Sequence, residues 1–141
     1  MLERLIIYDS SGQPFYARTF HGSSIEDSSL LSGLIAAIQS FGRSLNAKKF
    51  ATLTYGEDDV TTLGEPVRKI VIMSKDLFTQ DESLNFVFLT SGECHLKVLR
   101  EIVTTIYMEI KTLLRSPLPD YKKIQAITDK YLDNYKGLEN C

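Results

Sequence analysis

The sequence contains no tryptophan, only two cysteines and two histidines, and no long apolar run. Cys94 and Cys141 are too few for a disulfide framework or a zinc site, and so few cysteines are typical of a protein from a reducing compartment. A membrane-spanning helix needs roughly 20 apolar residues, and a secretory signal needs a longer apolar stretch than residues 5–8 provide. We therefore expect a cytoplasmic protein without a transmembrane segment.

The sequence also lacks an excess of either charge. Its 16 basic and 18 acidic residues give a net charge of -2, and the basic residues are scattered. Nucleic-acid binding is usually accompanied by a basic stripe or a basic domain, so we expect no nucleic-acid partner. A chain of 141 residues, 43% of them hydrophobic, suits a single domain spanning residues 1–141 with its own apolar core.

The shortage of histidine limits acid–base and nucleophilic catalysis. His21 falls in a predicted loop and His95 lies near a predicted helix start, and each would need an orienting partner to act in catalysis. Cys94 and His95 are adjacent, so on a helix their side chains would diverge by about 100°. A surface or helix-capping role is therefore favoured for His95.

Motifs for metal ions and nucleotides are missing as well. Glu57, Asp58 and Asp59 lack the alternating spacing of an EF-hand loop and are typical of a solvated turn. Gly22 precedes two serines, but neither a P-loop nor a three-glycine dinucleotide motif is present. Cys141 does not complete a lipidation box and is predicted to be an inert thiol on a frayed tail. We expect no enzymatic activity, no catalytic or metal-binding residue and no cofactor.

Five segments have the composition of β-strands. Residues 5–8 and 15–20 flank a turn-rich segment and predict a hairpin; the first is apolar on both faces and should lie centrally. Residues 50–55 are half polar and predict an edge strand, whereas residues 67–74 and 84–90 are more apolar. We interpret the two connections between the last three strands, residues 56–66 and 75–83, as polar loops in an antiparallel meander.

Three segments have helical periodicity. Apolar residues recur at spacings of three and four over residues 30–45 and again over residues 93–115. The prolines of residues 116–119 end the second helix, and Asp120 can cap a third that reaches residue 138. The predicted order is β-β-α-β-β-β-α-α. Tyrosine is favoured at protein interfaces, so part of the last helix is expected to face a partner. The tyrosines in this region are Tyr107, Tyr121, Tyr131 and Tyr135.

This order resembles the longin fold, a relative of the profilin and roadblock domains. Residues 5–14 are similar to the first longin hairpin, an apolar strand followed by a D-x-x-G-x-P turn, and residues 30–41 are similar to the first helix of archaeal longin- and roadblock-like proteins. The resemblance covers residues 2–115, and residues 120–138 match the third longin helix. It implies a five-stranded, mostly antiparallel sheet of order 2-1-5-4-3 with helices on both faces. Roadblock proteins begin with a helix, which favours longin.

The resemblance also implies a role. Related domains form dimers and act in small-GTPase regulation and vesicle traffic, without catalytic residues of their own. We therefore predict a non-enzymatic adaptor that forms homo- or heterodimers, binds a Ras-like GTPase or another longin or roadblock domain, and reaches membranes through its partners. Phe50, Leu53 and Tyr55 on the predicted edge strand are the candidate partner-binding residues. A profilin-like actin-binding protein and a small-ligand sensor are the alternatives.

Overall fold

The computed structural model describes residues 1–10, 14–20, 60–64, 68–78 and 82–141. The strands within these residues form one antiparallel sheet of order β2-β1-β5-β4-β3. Their bounds are β1 Leu2–Asp9, β2 Pro14–Thr19, β3 Val60–Gly64, β4 Arg68–Asp76 and β5 Ser83–Ser91. The sheet is followed by two helices, α1 Leu96–Ile110 and α2 Tyr121–Asn134, with short 3₁₀ turns at Leu113–Arg115 and Lys136–Asn140.

β1 lies inside the sheet because its side chains are apolar on both faces. Leu5 and Ile7 point into the larger core cluster, and Ile6 and Tyr8 into a smaller cluster on the other face of the sheet. Successive side chains of a strand alternate between faces, so an unbroken apolar run is stable only where both faces are covered. The prediction of a central first strand is confirmed, with β1 paired to β2 on one side and to β5 on the other.

Both helices pack on the face of the sheet that carries the larger core cluster. α1 buries Leu99, Ile102, Val103, Ile106 and Ile110, which follow the three- and four-residue spacing of one helical face. α2 adds Ile124 and Leu132 to the same cluster. Each such side chain contributes about 1.5–3 kcal/mol on full burial. None of the described helices is long and apolar enough to cross a membrane.

The ends of the helices follow local sequence signals. Gly92 has a φ of +66°, a left-handed conformation that favours glycine, and it turns the chain from β5 toward α1. The side chain of Asp120 accepts a hydrogen bond from the backbone N–H of Lys123 and so caps α2 as predicted, a contribution of about 0.5–2 kcal/mol. The predicted helices were too long: α1 ends at Ile110 and α2 at Asn134, and 3₁₀ turns follow each.

The mixed α/β architecture with an antiparallel sheet is confirmed, but the third strand differs from its prediction. Val60–Gly64, predicted as part of a polar loop, is β3 and pairs with β4. The acidic residues before this segment and the turn-forming Gly64-Glu65-Pro66 at its end favoured a loop. The segment nevertheless contains three β-branched residues in a row, and pairing with β4 stabilises them as a strand. The predicted strand at residues 50–55 and the predicted first helix, with its apolar stripe at residues 30–45, lie outside the described residues.

Candidate interaction surfaces

The partner-binding residues predicted from the sequence, Phe50, Leu53 and Tyr55, lie outside the described residues, so they stay a prediction. In the part of the chain that the structure describes, β3 is one of the two outermost strands of the sheet. Thr61 pairs with Ile72 and Thr62 with Val71, and no described strand pairs with the other side of β3. The backbone groups on that side are the kind to which a strand from another chain can add.

The opposite edge of the sheet, β2, is held by side chains of α2. Gln125 Nε2 donates a hydrogen bond to the backbone oxygen of Phe15 at 2.7 Å. Arg18 forms ion pairs with Asp129 at 3.3 Å and with Asp133 at 2.6 Å. A helix that contacts an edge strand in this way hinders the addition of another strand. The two edges of the described sheet therefore differ, and β3 is the better candidate for pairing with a partner.

Tyr16 connects the same edge to the core. Its ring is buried, and its hydroxyl donates a hydrogen bond to Asp129 Oδ1 at 2.6 Å. Burial raises the pKa of Tyr16 well above its usual value, and the hydrogen bond to Asp129 and the negative charge of that carboxylate raise it further. Tyr16 is therefore a neutral donor at physiological pH, and the contact between β2 and α2 has a structural role.

A second candidate surface lies at the end of the sheet where β1 and β4 end and β5 begins. The β1–β2 and β4–β5 hairpins meet there, because the backbone N–H of Ser83 donates to Ser10 Oγ at 2.7 Å. The connection between α1 and α2 lies at this end too, since the Arg115 guanidinium is 4.4 Å from the centre of the Phe78 ring. We call this the hairpin-end surface and define it by the residues that carry its apolar and basic groups: Phe15, Phe78, Arg115, Leu118 and Tyr121.

The hairpin-end surface exposes large apolar side chains. Phe78 is 39% exposed, Tyr121 37% and Leu118 89%. Tyr121 packs against Phe15 with 5.4 Å between ring centroids, so its ring is held in place while one side stays in contact with solvent. Single exposed apolar residues are ordinary in soluble proteins, but several at one end of a domain are typical of an interaction surface.

The opposite end of the domain is closed by a disulfide between Cys94 and Cys141. The prediction of an inert thiol on a frayed tail is therefore wrong. Cys141 is partly buried and packs against the main core cluster, and its backbone N–H donates to Leu138 O at 3.2 Å. α2 returns the chain to the start of α1, which brings the two cysteines together across 47 residues. The expectation of a reducing compartment loses its support from the cysteines.

His95, beside that disulfide, is the N-terminal flanking residue of α1. Its side chain is exposed and makes no capping hydrogen bond with the helix, so the predicted capping role is wrong. Its backbone oxygen instead accepts the first bonds of the helix, from the N–H groups of Val98 and Leu99. His95 is therefore a surface residue, the other role that the sequence favoured.

Most of the tyrosines that the sequence marked as interface candidates make contacts inside the domain. Tyr107 donates to Asp76 O and Tyr135 to Glu101 Oε2, each at 2.7 Å. Tyr131 packs on Tyr135 with 5.5 Å between ring centroids. These contacts join α1 to the sheet and to α2, so the polar hydroxyls are used internally. Tyr121, on the hairpin-end surface, is the exposed member of the set.

The described residues offer little for acid–base or metal chemistry. They contain no group of three or more histidine, cysteine or acidic side chains placed to hold a metal ion. Burial raises the pKa of Tyr8 to about 12, and burial together with the Glu101 hydrogen bond raises that of Tyr135 to about 12. These phenols stay neutral near pH 7, where a general base would need a pKa close to the working pH.

Sequence reasoning missed the exposed residues of the hairpin-end surface. Leu118 was noted only within a helix-breaking segment, and Phe78 only within a loop. One signal could have identified Leu118: a leucine between two prolines cannot lie on the buried face of a helix. Two lysines, Lys122 and Lys123, follow it closely. No comparable signal marks Phe78.

Comparisons with known proteins add one structural similarity. No family model matches the chain, and no curated protein matches it. Among solved structures, the chain is similar to one in a homology model of the full-length AP-3 complex in a stretched open conformation, with 11% sequence identity and a TM-score of 0.48. The match covers 99% of this chain and 98% of that one. This similarity assigns neither a family nor a function to the chain.

Proposed function

We propose that this chain is a longin-like adaptor domain that acts by binding other proteins and has no catalytic activity of its own. The observation that carries the proposal is the sheet edge at β3. In the described residues this five-residue strand pairs with β4 alone, whereas β2 at the other edge contacts α2 through Gln125 and Arg18. Within the described residues, α2 covers one edge of the sheet, and no strand pairs with the outer side of the other.

Addition of a strand to this edge would use main-chain hydrogen bonds for affinity and side-chain pockets for specificity. β4, on which β3 is built, is itself firmly placed. Its residues Val71, Ile72 and Met73 are buried, and it pairs with β5 along its whole length. A rigid support of this kind lowers the entropic cost of ordering a partner strand.

The class of partner comes from the longin resemblance. We propose a Ras-like GTPase or a second longin or roadblock domain, in a homo- or heterodimer of the vesicle-trafficking type, and we propose that the protein reaches membranes through such partners. The arrangement of two helices after the last strand, packed on one face of the sheet, supports the resemblance. The profilin-like and ligand-sensing alternatives stay predictions, because no described contact favours either of them.

The first test is a pull-down of Ras-like GTPases in both nucleotide states, combined with light scattering to measure the mass in solution. We expect specific capture of a GTPase in one nucleotide state, or a dimer whose mass changes with concentration. A strictly monomeric protein that captures no GTPase in either state would contradict the proposal.

Two proline variants, Thr61→Pro and Thr62→Pro, test whether β3 is the binding edge. Neighbouring strand residues direct their backbone groups to opposite sides, so one proline removes a donor facing β4 and the other removes a donor facing outward. Thermal unfolding shows which variant is which. The variant that loses the donor facing β4 should lose stability, and the variant that loses the outward donor should keep it. We expect the stable variant to lose partner binding. Full binding by that variant would show that the partner does not pair with β3.

A further inference from the structure

The connection between α1 and α2 presents an apolar tip to solvent. Leu118 is 89% exposed, more than any other large apolar side chain in the part of the chain that the structure describes. It stands between Pro117 and Pro119 in the connection between the two helices. A leucine with so much of its surface exposed can enter a layer of hydrocarbon as a single apolar group.

Two hydrogen bonds within the tip bind backbone oxygens. Ser116 Oγ donates a hydrogen bond to Leu118 O at 3.4 Å, and the backbone N–H of Tyr121 donates to Pro119 O at 3.1 Å. The two prolines have no N–H to satisfy. Transfer of a polar backbone group out of water is costly when it has no partner, so these two bonds and the missing proline donors lower the cost of bringing Leu118 into an apolar medium.

Basic residues surround the tip. Arg115 precedes it, and Lys122 and Lys123 lie in the first turn of α2, all three exposed. The first turn of a helix favours acidic side chains because the helix dipole is positive there, and that turn of α2 contains none. Glu109 and the capping Asp120 are the nearest acidic residues along the chain. The Asp120 carboxylate already accepts a hydrogen bond at the start of α2, so the three basic side chains provide the attraction for an anionic partner beside Leu118.

From these observations we infer that the α1–α2 connection binds an anionic membrane surface, with Leu118 entering the interface and Arg115, Lys122 and Lys123 contacting the lipid headgroups. Tyr121, 37% exposed and held by Phe15, lies where an interfacial aromatic residue would be expected. This contact is direct, in contrast to recruitment through a protein partner, and it does not rest on the proposed pairing at β3.

Vesicle co-sedimentation of the full chain tests the inference. We expect binding to phosphatidylcholine vesicles that contain about 30% phosphatidylserine, weaker binding to phosphatidylcholine alone, and a decrease with added salt. Leu118→Ser should reduce the partition coefficient at least tenfold, about 1.4 kcal/mol. Lys122→Glu with Lys123→Glu should reduce it by a similar factor. The matched control, Lys97→Glu with Lys130→Glu, changes the net charge equally on exposed helix positions and should bind within about twofold of the unaltered protein.

A fluorescence measurement reports the tip directly. The chain contains no tryptophan, so Leu118→Trp places a single probe at the tip and Lys97→Trp places one near the other end of α1. We expect the emission of the Leu118→Trp protein to shift to shorter wavelength with anionic vesicles, and that of the Lys97→Trp protein to stay unchanged. Thermal unfolding of each variant verifies the fold.

Three results would overturn the inference: no binding to anionic vesicles at low salt, equal losses in the tip and control charge variants, or an unshifted Leu118→Trp emission on bound vesicles. If the protein did not bind vesicles but captured a protein partner only when Leu118 was present, the tip would be a protein-binding site instead. Loss of GTPase capture in the stable β3 proline variant, with vesicle binding intact, would separate the two surfaces.

Discussion

The disulfide between Cys94 and Cys141 should contribute a measurable part of the stability of the domain. It joins the segment before α1 to the end of the chain, across 47 residues. A bond of this kind acts mainly on the unfolded chain, because it removes the conformations in which the two cysteines are far apart. The native contacts around it, among them the Tyr135–Glu101 hydrogen bond, hold the same segments together without it.

The size of the effect follows from the length of the closed loop. The chain-entropy relation gives about 4 kcal/mol for a loop of this length. A domain of this size has an unfolding entropy that converts such a loss into a fall in Tm on the order of 10 °C. Reduction should therefore lower the Tm without unfolding the protein at room temperature, since the apolar core of β1, β5 and α1 is intact.

The assay compares thermal unfolding with and without a reducing agent, together with intact-mass measurement after alkylation. In the oxidised protein neither cysteine should react, and after reduction both should react. The Cys94→Ser, Cys141→Ser double variant is the control and should unfold at the lower Tm whether or not reductant is present. Alkylation of both thiols in the untreated protein would show that the bond does not form. A Tm unchanged by reduction would refute the loop-entropy argument.

Two further predictions concern pH and the edge strand predicted at residues 50–55. Burial raises the pKa of Tyr8 to about 12, so the folded state keeps a proton that the unfolded state releases above pH 10. The free energy of unfolding should therefore fall as the pH rises. Between pH 8 and pH 11, urea unfolding should show that Tyr8→Phe loses about 1.4 kcal/mol less of this free energy than the unaltered protein. An equal loss in both proteins would contradict this. Leu53→Asp on the predicted edge strand should weaken self-association by adding a charge to an interface; an unchanged sedimentation profile with an intact fold would refute that prediction.

The sequence predicted the elements whose pattern is local. An apolar run on both faces marked β1 as a central strand, and the three- and four-residue spacing from Leu99 to Ile110 marked α1. These patterns are readable because a strand or helix repeats its orientation every two or 3.6 residues, whatever it packs against. The position of Asp120 as a cap could be predicted for the same reason, since a capping side chain bonds to a backbone group only three residues away.

The candidate surfaces were harder to predict because they depend on distant contacts. β3 is a short run between acidic and turn-forming residues. It is a strand because it pairs with β4, and this pairing cannot be seen in the sequence. The covering of β2 by α2 depends on the contacts of Gln125 with Phe15 and of Arg18 with Asp129, and each joins residues more than 100 positions apart. Exposure of Leu118 could be suspected from the flanking prolines, but the contact of Arg115, at the start of the same connection, with Phe78 could not.

The sequence by itself therefore determined the mixed α/β class, the central position of β1, the faces of the two helices and the cap of α2. Only the tertiary structure decided the Cys94–Cys141 disulfide, the difference between the two sheet edges and the grouping of the hairpin-end surface. The physical reason is the range of the interactions. Backbone periodicity and capping act over a few residues, whereas edges, disulfides and surfaces form only where folding brings distant segments together.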